Sequence, residues 1–187
     1  MDRLMEVARE YTKLFGKDYI YTLETDVIFR VSFMPMFFHH LMGLQKLKDV
    51  PQVLKSSKNR PAYIFRNIIG GQITLDDIGK SRFFDEIEPR LRHFSQINRL
   101  IEFEKVIVNF DPSLLVRTRV VNADYVLFKK SNDNMFLNLF LKSDGQDKQI
   151  PMTFLPHLTD YYTYGQKVVK IISLTEIPHK NKRVKLW

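Results

Sequence analysis

Leu100-Ile101-Glu102-Phe103-Glu104-Lys105-Val106-Ile107-Val108-Asn109-Phe110 is where the chain changes texture. Before Glu104 the apolar residues recur at helical spacing; after it they come in short runs parted by turn residues. On the near side, Leu91, Phe94, Ile97, Leu100 and Ile101 share one face of a helix that follows Pro89. Arg92, Gln96 and Arg99 line up on a different face at i, i+4 and i+7. On the far side, strands are expected at 105–110, 115–121, 123–130, 135–142, 149–155 and 168–175. Asn122, Ser131-Asn132-Asp133-Asn134 and Ser143-Asp144-Gly145 supply the turns between them. Helices first and an antiparallel sheet afterwards argue for an α+β domain.

The first hundred residues carry sharper local signals. Leu4, Val7, Ala8, Tyr11, Leu14 and Phe15 predict an opening helix over 3–16, with Gly16 where its C-terminus would fall. Residues 19–33 read as two strands joined by a tight turn at Glu24-Thr25-Asp26. Pro35 opens a helix through Phe37-Phe38-His39-His40-Leu41-Met42-Gly43-Leu44-Gln45-Lys46-Leu47, loosened at Gly43. Phe37, Leu41 and Leu44 form its apolar stripe, which puts His40 at the stripe's edge and His39 on the opposite, more exposed side. Residues 48–61 read as a basic linker. A short helix over 64–69 ends at Gly70-Gly71, and Thr74 with Asp77 has the spacing of a reciprocal helix cap.

Length and charge bound the function classes. The chain has 187 residues, which predicts one domain over 1–187. Its aromatic content of 13% is too high for a disordered chain. No run of apolar residues is long enough to span a membrane, and Asp2, Glu6 and Glu10 spoil the basic-then-apolar order of a signal peptide. Cysteine is absent, which excludes disulfides, thiolate metal sites and a cysteine nucleophile, and fits a reducing, cytoplasmic setting. The net charge of +8 is unevenly placed: residues 37–72 carry +5 and residues 178–187 carry +4. Clustered positive charge points to a polyanionic partner. Residues 178–187 read as a basic, flexible tail in which His179 is solvated.

Few chemistries are available. Gly70-Gly71 lacks the spacing and the lysine of a phosphate-binding loop, and no His-Glu-x-x-His occurs. Adjacent His39 and His40 diverge by about 100° on a helix and do not suit one metal. The acids at Asp76-Asp77 and Asp85-Glu86-Glu88 sit at helix starts, where the helix dipole alone favours them. No metal and no cofactor are therefore expected. A small basic chain with His, Lys, Arg, Thr and Tyr suffices for RNA cleavage by the RNA's own 2′-hydroxyl. That reaction needs a base, an acid and a cation for the phosphoryl oxygens.

Phe38-His39-His40-Leu41-Met42-Gly43-Leu44-Gln45-Lys46-Leu47 resembles a Phe-x-His-Leu-x-Gly-Leu-x-Lys-Leu signature. It is the signature of the phage-associated BECR nuclease-like domains, named for barnase, EndoU, colicin toxins and RelE, and in particular of their fourth phage group. The opening helix, Asp18-Tyr19-Ile20-Tyr21, Gln96-Ile97-Asn98-Arg99-Leu100 and Ala123-Asp124-Tyr125-Val126-Leu127-Phe128 resemble the same group in order. The resemblance implies an RNase-like fold of N-terminal helices followed by a curved antiparallel β-sheet. It also implies metal-independent RNA cleavage in phage, prophage or toxin systems. RNA is then the expected partner, with an antitoxin or immunity protein as a further one and no membrane.

The signature's histidine falls on His40 and its lysine on Lys46. On an ideal helix these two point about 120° apart. They share a site only if Gly43 breaks the helix or the RNA spans both faces. Arg92 and Arg99 are candidates for phosphate contact, since arginine matches phosphate oxygens bidentately. Lys129, Thr153 and His157 complete the expected catalytic set from the sheet, where polar groups can converge on one face. Expected RNA-binding residues are Lys48, Lys55, Lys58, Arg60 and Arg66 in the basic segment and Lys182 and Arg183 in the tail. Tyr161, Tyr162 and Tyr164 are candidates to stack on bases, or amphipathic core residues. The rival reading is a non-catalytic module on the same fold that binds nucleic acid or protein.

Overall fold

The computed structural model describes residues 2–54, 60–100, 103–118, 120–145 and 147–179. Helix α1 (Arg3–Thr12) starts at Asp2, whose carboxylate accepts from the Met5 N–H, and buries Leu4, Val7, Ala8 and Tyr11. Strands β1 (Lys17–Leu23) and β2 (Ile28–Ser32) form the expected hairpin. Helices α2 (Pro35–Met42), α3 (Pro61–Ile69) and α4 (Leu75–Gly79) follow. Thr74 and Asp77 cap α4 reciprocally, as their spacing predicts. Then come α5 (Glu88–His93), α6 (Ile97–Leu100), β3 (Lys105–Val108), β4 (Tyr125–Lys130), β5 (Phe136–Ser143), β6 (Lys148–His157) and β7 (Val168–Pro178).

The sheet is a closed seven-stranded barrel in the order β1-β2-β6-β5-β4-β3-β7. The chain is α+β as expected, but the curved antiparallel sheet expected after the helices is instead closed into a barrel. The first hairpin belongs to the same sheet, and β2 meets β6 in a short parallel seam, Arg30 to Lys148 and Val31 to Gln149. Closure comes from β7, long enough to pair with β3 at its start and with β1 for the rest of its length. A closed sheet leaves no unpaired edge.

Two apolar clusters divide the barrel walls. The larger runs from the helices into the interior, joining Tyr11, Phe38, Phe65 and Phe94 to Tyr19, Leu139 and Phe154. Tyr11 sits at its centre, within 6.0 Å of the rings of Phe15, Phe33, Phe38, Phe65 and Phe94. Each such buried ring contributes about 1.5–3 kcal/mol from area alone. The smaller cluster lies outside the barrel, where Ile107, Phe110, Val126 and Phe140 are covered by Leu115, Val120 and Tyr162.

Three local expectations fail for tertiary reasons. Among the described residues of 115–121 there is no strand. The Tyr161 hydroxyl bonds both the N–H and the carbonyl of Arg117, which are then lost to a ladder. The helix after Pro89 is interrupted by a 3₁₀ turn at Phe94–Gln96. A 3₁₀ turn advances about 120° per residue instead of 100°, so the regular i, i+7 alignment of Arg92 and Arg99 is shifted by about 60°. His179 is not solvated: its Nε2 lies 2.9 Å from Asp18 and its N–H donates to the Gly16 carbonyl, pinning the end of β7 to β1. The linker over 48–61 is also anchored, through buried Val50 and Val53.

Candidate active site

Gly43 ends α2 in the left-handed conformation, φ 76°, and the chain turns into a 3₁₀ turn at Leu44–Lys46. This is the break that the 120° separation of His40 and Lys46 required. Both side chains now line one cleft of about 730 Å³. Glycine is needed at position 43 for two reasons: its φ, and the proximity of Arg90. A Cβ at Gly43 would lie 2.8 Å from Arg90 Nη1.

Arg90, on α5, is 5% exposed. Its Nη1 donates to the carbonyls of His40 (3.2 Å) and Leu41 (3.3 Å) and to the Thr153 hydroxyl (3.1 Å). These bonds satisfy carbonyls at the negative end of α2 and tie that end to β6. Burial lowers its pKa to about 10, against the opposing pull of Tyr162 and Glu86, so it stays cationic at neutral pH. Thr153 and Tyr162 line the same cleft. Burial raises the Tyr162 pKa, with Tyr161 adding to the rise and Arg90 opposing it.

Lys46 Nζ is 3.2 Å from Glu86 Oε2, and both line the cleft. Glu86 therefore does more than favour a helix start. The loop before β4 also lines the cleft, through Arg117, Thr118, Val120, Val121 and Asn122. Among the described residues the cleft thus gathers three cations (Lys46, Arg90 and Arg117) against one carboxylate, with an imidazole, two hydroxyls (Thr118 and Thr153) and a phenol.

The two adjacent histidines exchange their expected places. His39 is 1% exposed and its Nε2 donates to the Val53 carbonyl at 2.7 Å. His40 is exposed at the cleft. The reason is that α2 packs on α3 and on β6 together, so its buried face includes Phe38, His39 and Met42, a wider arc than the Phe37–Leu41–Leu44 stripe.

Of the expected catalytic residues, His40, Lys46 and Thr153 meet in this cleft. Arg92 does not; it pairs with Glu88 one turn back. Arg99 is not in its lining, and Lys129 lines a separate cleft, over the Phe103 ring. His157 stands beside the cleft, its Nδ1 bonded to Thr159 and its ring stacked on Tyr161 at 5.1 Å. Lys48, Arg60 and Arg66 are exposed on the helical side, with Arg66 over the Tyr63 ring. Tyr164 is 75% exposed. Lys55, Lys58, Lys182 and Arg183 lie outside the described residues. Glu86, Arg90 and Arg117 escaped the sequence reading. Only the left-handed glycine hinted at Arg90, as a place where something must approach the backbone closely.

Among the described residues no group of three or more His, Asp or Glu could hold a metal ion, and no helix is long and apolar enough to cross a membrane. A family model described as phage-Barnase-EndoU-ColicinE5/D-RelE like nuclease 4 matches residues 3–183. The chain belongs to this family. No curated protein and no solved structure matches the chain. Membership of a nuclease-like family suggests a nucleic-acid substrate. In this member of the phage nuclease 4 family the signature's histidine and lysine reach that cleft only because the signature's glycine stops the helix between them.

Proposed function

We propose that this chain is a metal-independent endoribonuclease that cuts RNA by attack of the 2′-hydroxyl on the adjacent phosphate. The observation that carries this is the convergence of His40, Lys46, Glu86, Arg90 and Thr153 on one cleft. Glu86 takes the proton from the 2′-oxygen. The 2′-oxygen forms its bond to phosphorus as the bond from phosphorus to the 5′-oxygen breaks. His40 gives a proton to that leaving oxygen. Lys46 and Arg90 stabilise the charge that builds on the phosphoryl oxygens, where a buried guanidinium acts in a low dielectric. The products are a 2′,3′-cyclic phosphate and a 5′-hydroxyl. His40 suits the acid, because imidazole is the side chain that exchanges protons between pH 5 and 8.

Incubation with total RNA in EDTA tests the proposal. Cleavage leaving 2′,3′-cyclic ends is expected, and a single 2′-deoxy substitution at the cut site should block it. His40→Ala should abolish cutting with an unchanged melting curve. Intact RNA that is tightly bound after long incubation would instead make the chain a binding module.

A further inference from the structure

A row of rings crosses the outside of the barrel beside the catalytic cleft. The register sets Lys130 of β4 opposite Phe136 of β5, and Phe136 opposite His157 of β6. Directly paired residues on adjacent strands present their side chains to the same face. Lys130 Nζ lies 5.7 Å from the Phe136 ring centroid. The His157 ring stacks on Tyr161 and meets Tyr162 edge-on at 5.6 Å. Tyr162 in turn lines the catalytic cleft. At the far end, Lys130 joins Phe103, Lys105, Phe128 and Lys129 in a second cleft of about 400 Å³. Glu104 is the one carboxylate among the described residues lining it. Asp133, in the next turn, is engaged by Ser131 and His93.

We propose that single-stranded RNA leaves the catalytic cleft along this row and reaches the second, basic cleft. The inference rests on the reading of this chain as acting on RNA. Aromatic rings set about one strand spacing apart on one face, Phe136 and His157, suit unpaired bases, which stack on aromatic side chains without regard to sequence. The two strand spacings from His157 to Lys130 span about 10 Å. That is the length of roughly three stacked nucleotides at ~3.4 Å each. The lysines at the far end match the phosphates that such a strand would carry there. A duplex offers no free base faces to the row.

The test measures binding by fluorescence anisotropy, with 2′-O-methyl RNA that cannot be cut. The probes are a single strand of about 12 nucleotides, within the footprint of known stacking platforms, and a trinucleotide. Phe136→Leu and Lys130→Glu should each weaken binding of the long strand about tenfold, the scale of losing one stack or one contact. Both should leave the trinucleotide unaffected. If Phe136→Leu does not fold by circular dichroism, the exposed Lys130→Glu carries the test alone. Equal loss on both probes, no loss on the long strand, or a duplex bound as tightly as the single strand would overturn the row. Cutting of ordinary RNA is assayed separately. A row that binds as expected on a protein that cuts nothing leaves this inference standing and removes the catalytic one.

Discussion

Gly43→Ala is the most informative single change. A non-glycine residue at φ 76° costs about 1–2 kcal/mol in backbone strain. The new Cβ would also sit 2.8 Å from Arg90 Nη1 and 3.0 Å from Cζ, so the guanidinium must move. Arg90 Nη1 has three acceptors there, and losing one hydrogen bond to a charged group costs about 1.5–3 kcal/mol. The sum is roughly 3–5 kcal/mol, a fall in Tm of about 10 °C for a chain of this size. Gly145→Ala is the control. Gly145 has φ 86° with nothing within 4 Å of a Cβ, so only the strain of about 1–2 kcal/mol applies. Thermal melts of both variants give the difference. A Gly43→Ala, Arg90→Met double variant should be less destabilised than the two single changes added, because the clash is gone. RNA cleavage by Gly43→Ala should fall further than its stability does, since the displaced guanidinium also holds the His40 carbonyl and Thr153. If Gly43→Ala costs no more than Gly145→Ala, the clasp between α2 and Arg90 is not what position 43 protects.

The two histidines should separate cleanly. His39→Ala should lower stability by about 2–3 kcal/mol, through the lost packing and the orphaned Val53 carbonyl, whereas His40→Ala should melt like the parent and cut nothing. Stability should begin to fall as the pH drops below about 4. Hydrogen bonds from Ser81 to Asp49 and from Thr74 to Asp77 hold both carboxylates below their ordinary value. Burial alone would raise Asp18, but Ser32, His179 and Arg30 outweigh it and lower it. Groups depressed in the folded state stabilise it above the unfolded pKa, and that stability is lost as pH falls toward the folded value. Asp18→Asn should therefore flatten the acid limb of a Tm-against-pH curve; an unchanged limb would remove Asp18 from the explanation. RNA affinity should fall with log salt at a slope of about −2 if Lys46, Arg90 and Arg117 each meet a phosphate. Arg117→Ala should reduce that slope by about 0.7. Ending the chain after His179 should weaken RNA binding and spare turnover at saturating RNA; loss of turnover would give residues 180–187 a part in the reaction.

The amino-acid sequence by itself determined what is decided within a turn or two of chain. Thr74 with Asp77 marks a helix start because capping joins residues at most about four apart. The first hairpin follows from alternation around a short turn, and the signature around His40 placed the histidine and the lysine. Tertiary structure decided the rest. The β2–β6 seam and the β1–β7 closure join segments far apart in the chain, and no local pattern encodes which strand a strand will meet. Which of two adjacent histidines is buried depended on α2 packing against α3 and β6 at once. Glu86 and Arg90 are ordinary helix-start and helix-surface residues until α5 is laid across the end of α2. There one becomes the partner of Lys46 and the other the buried clasp of the cleft, because a site is made by what folding brings within hydrogen-bond distance.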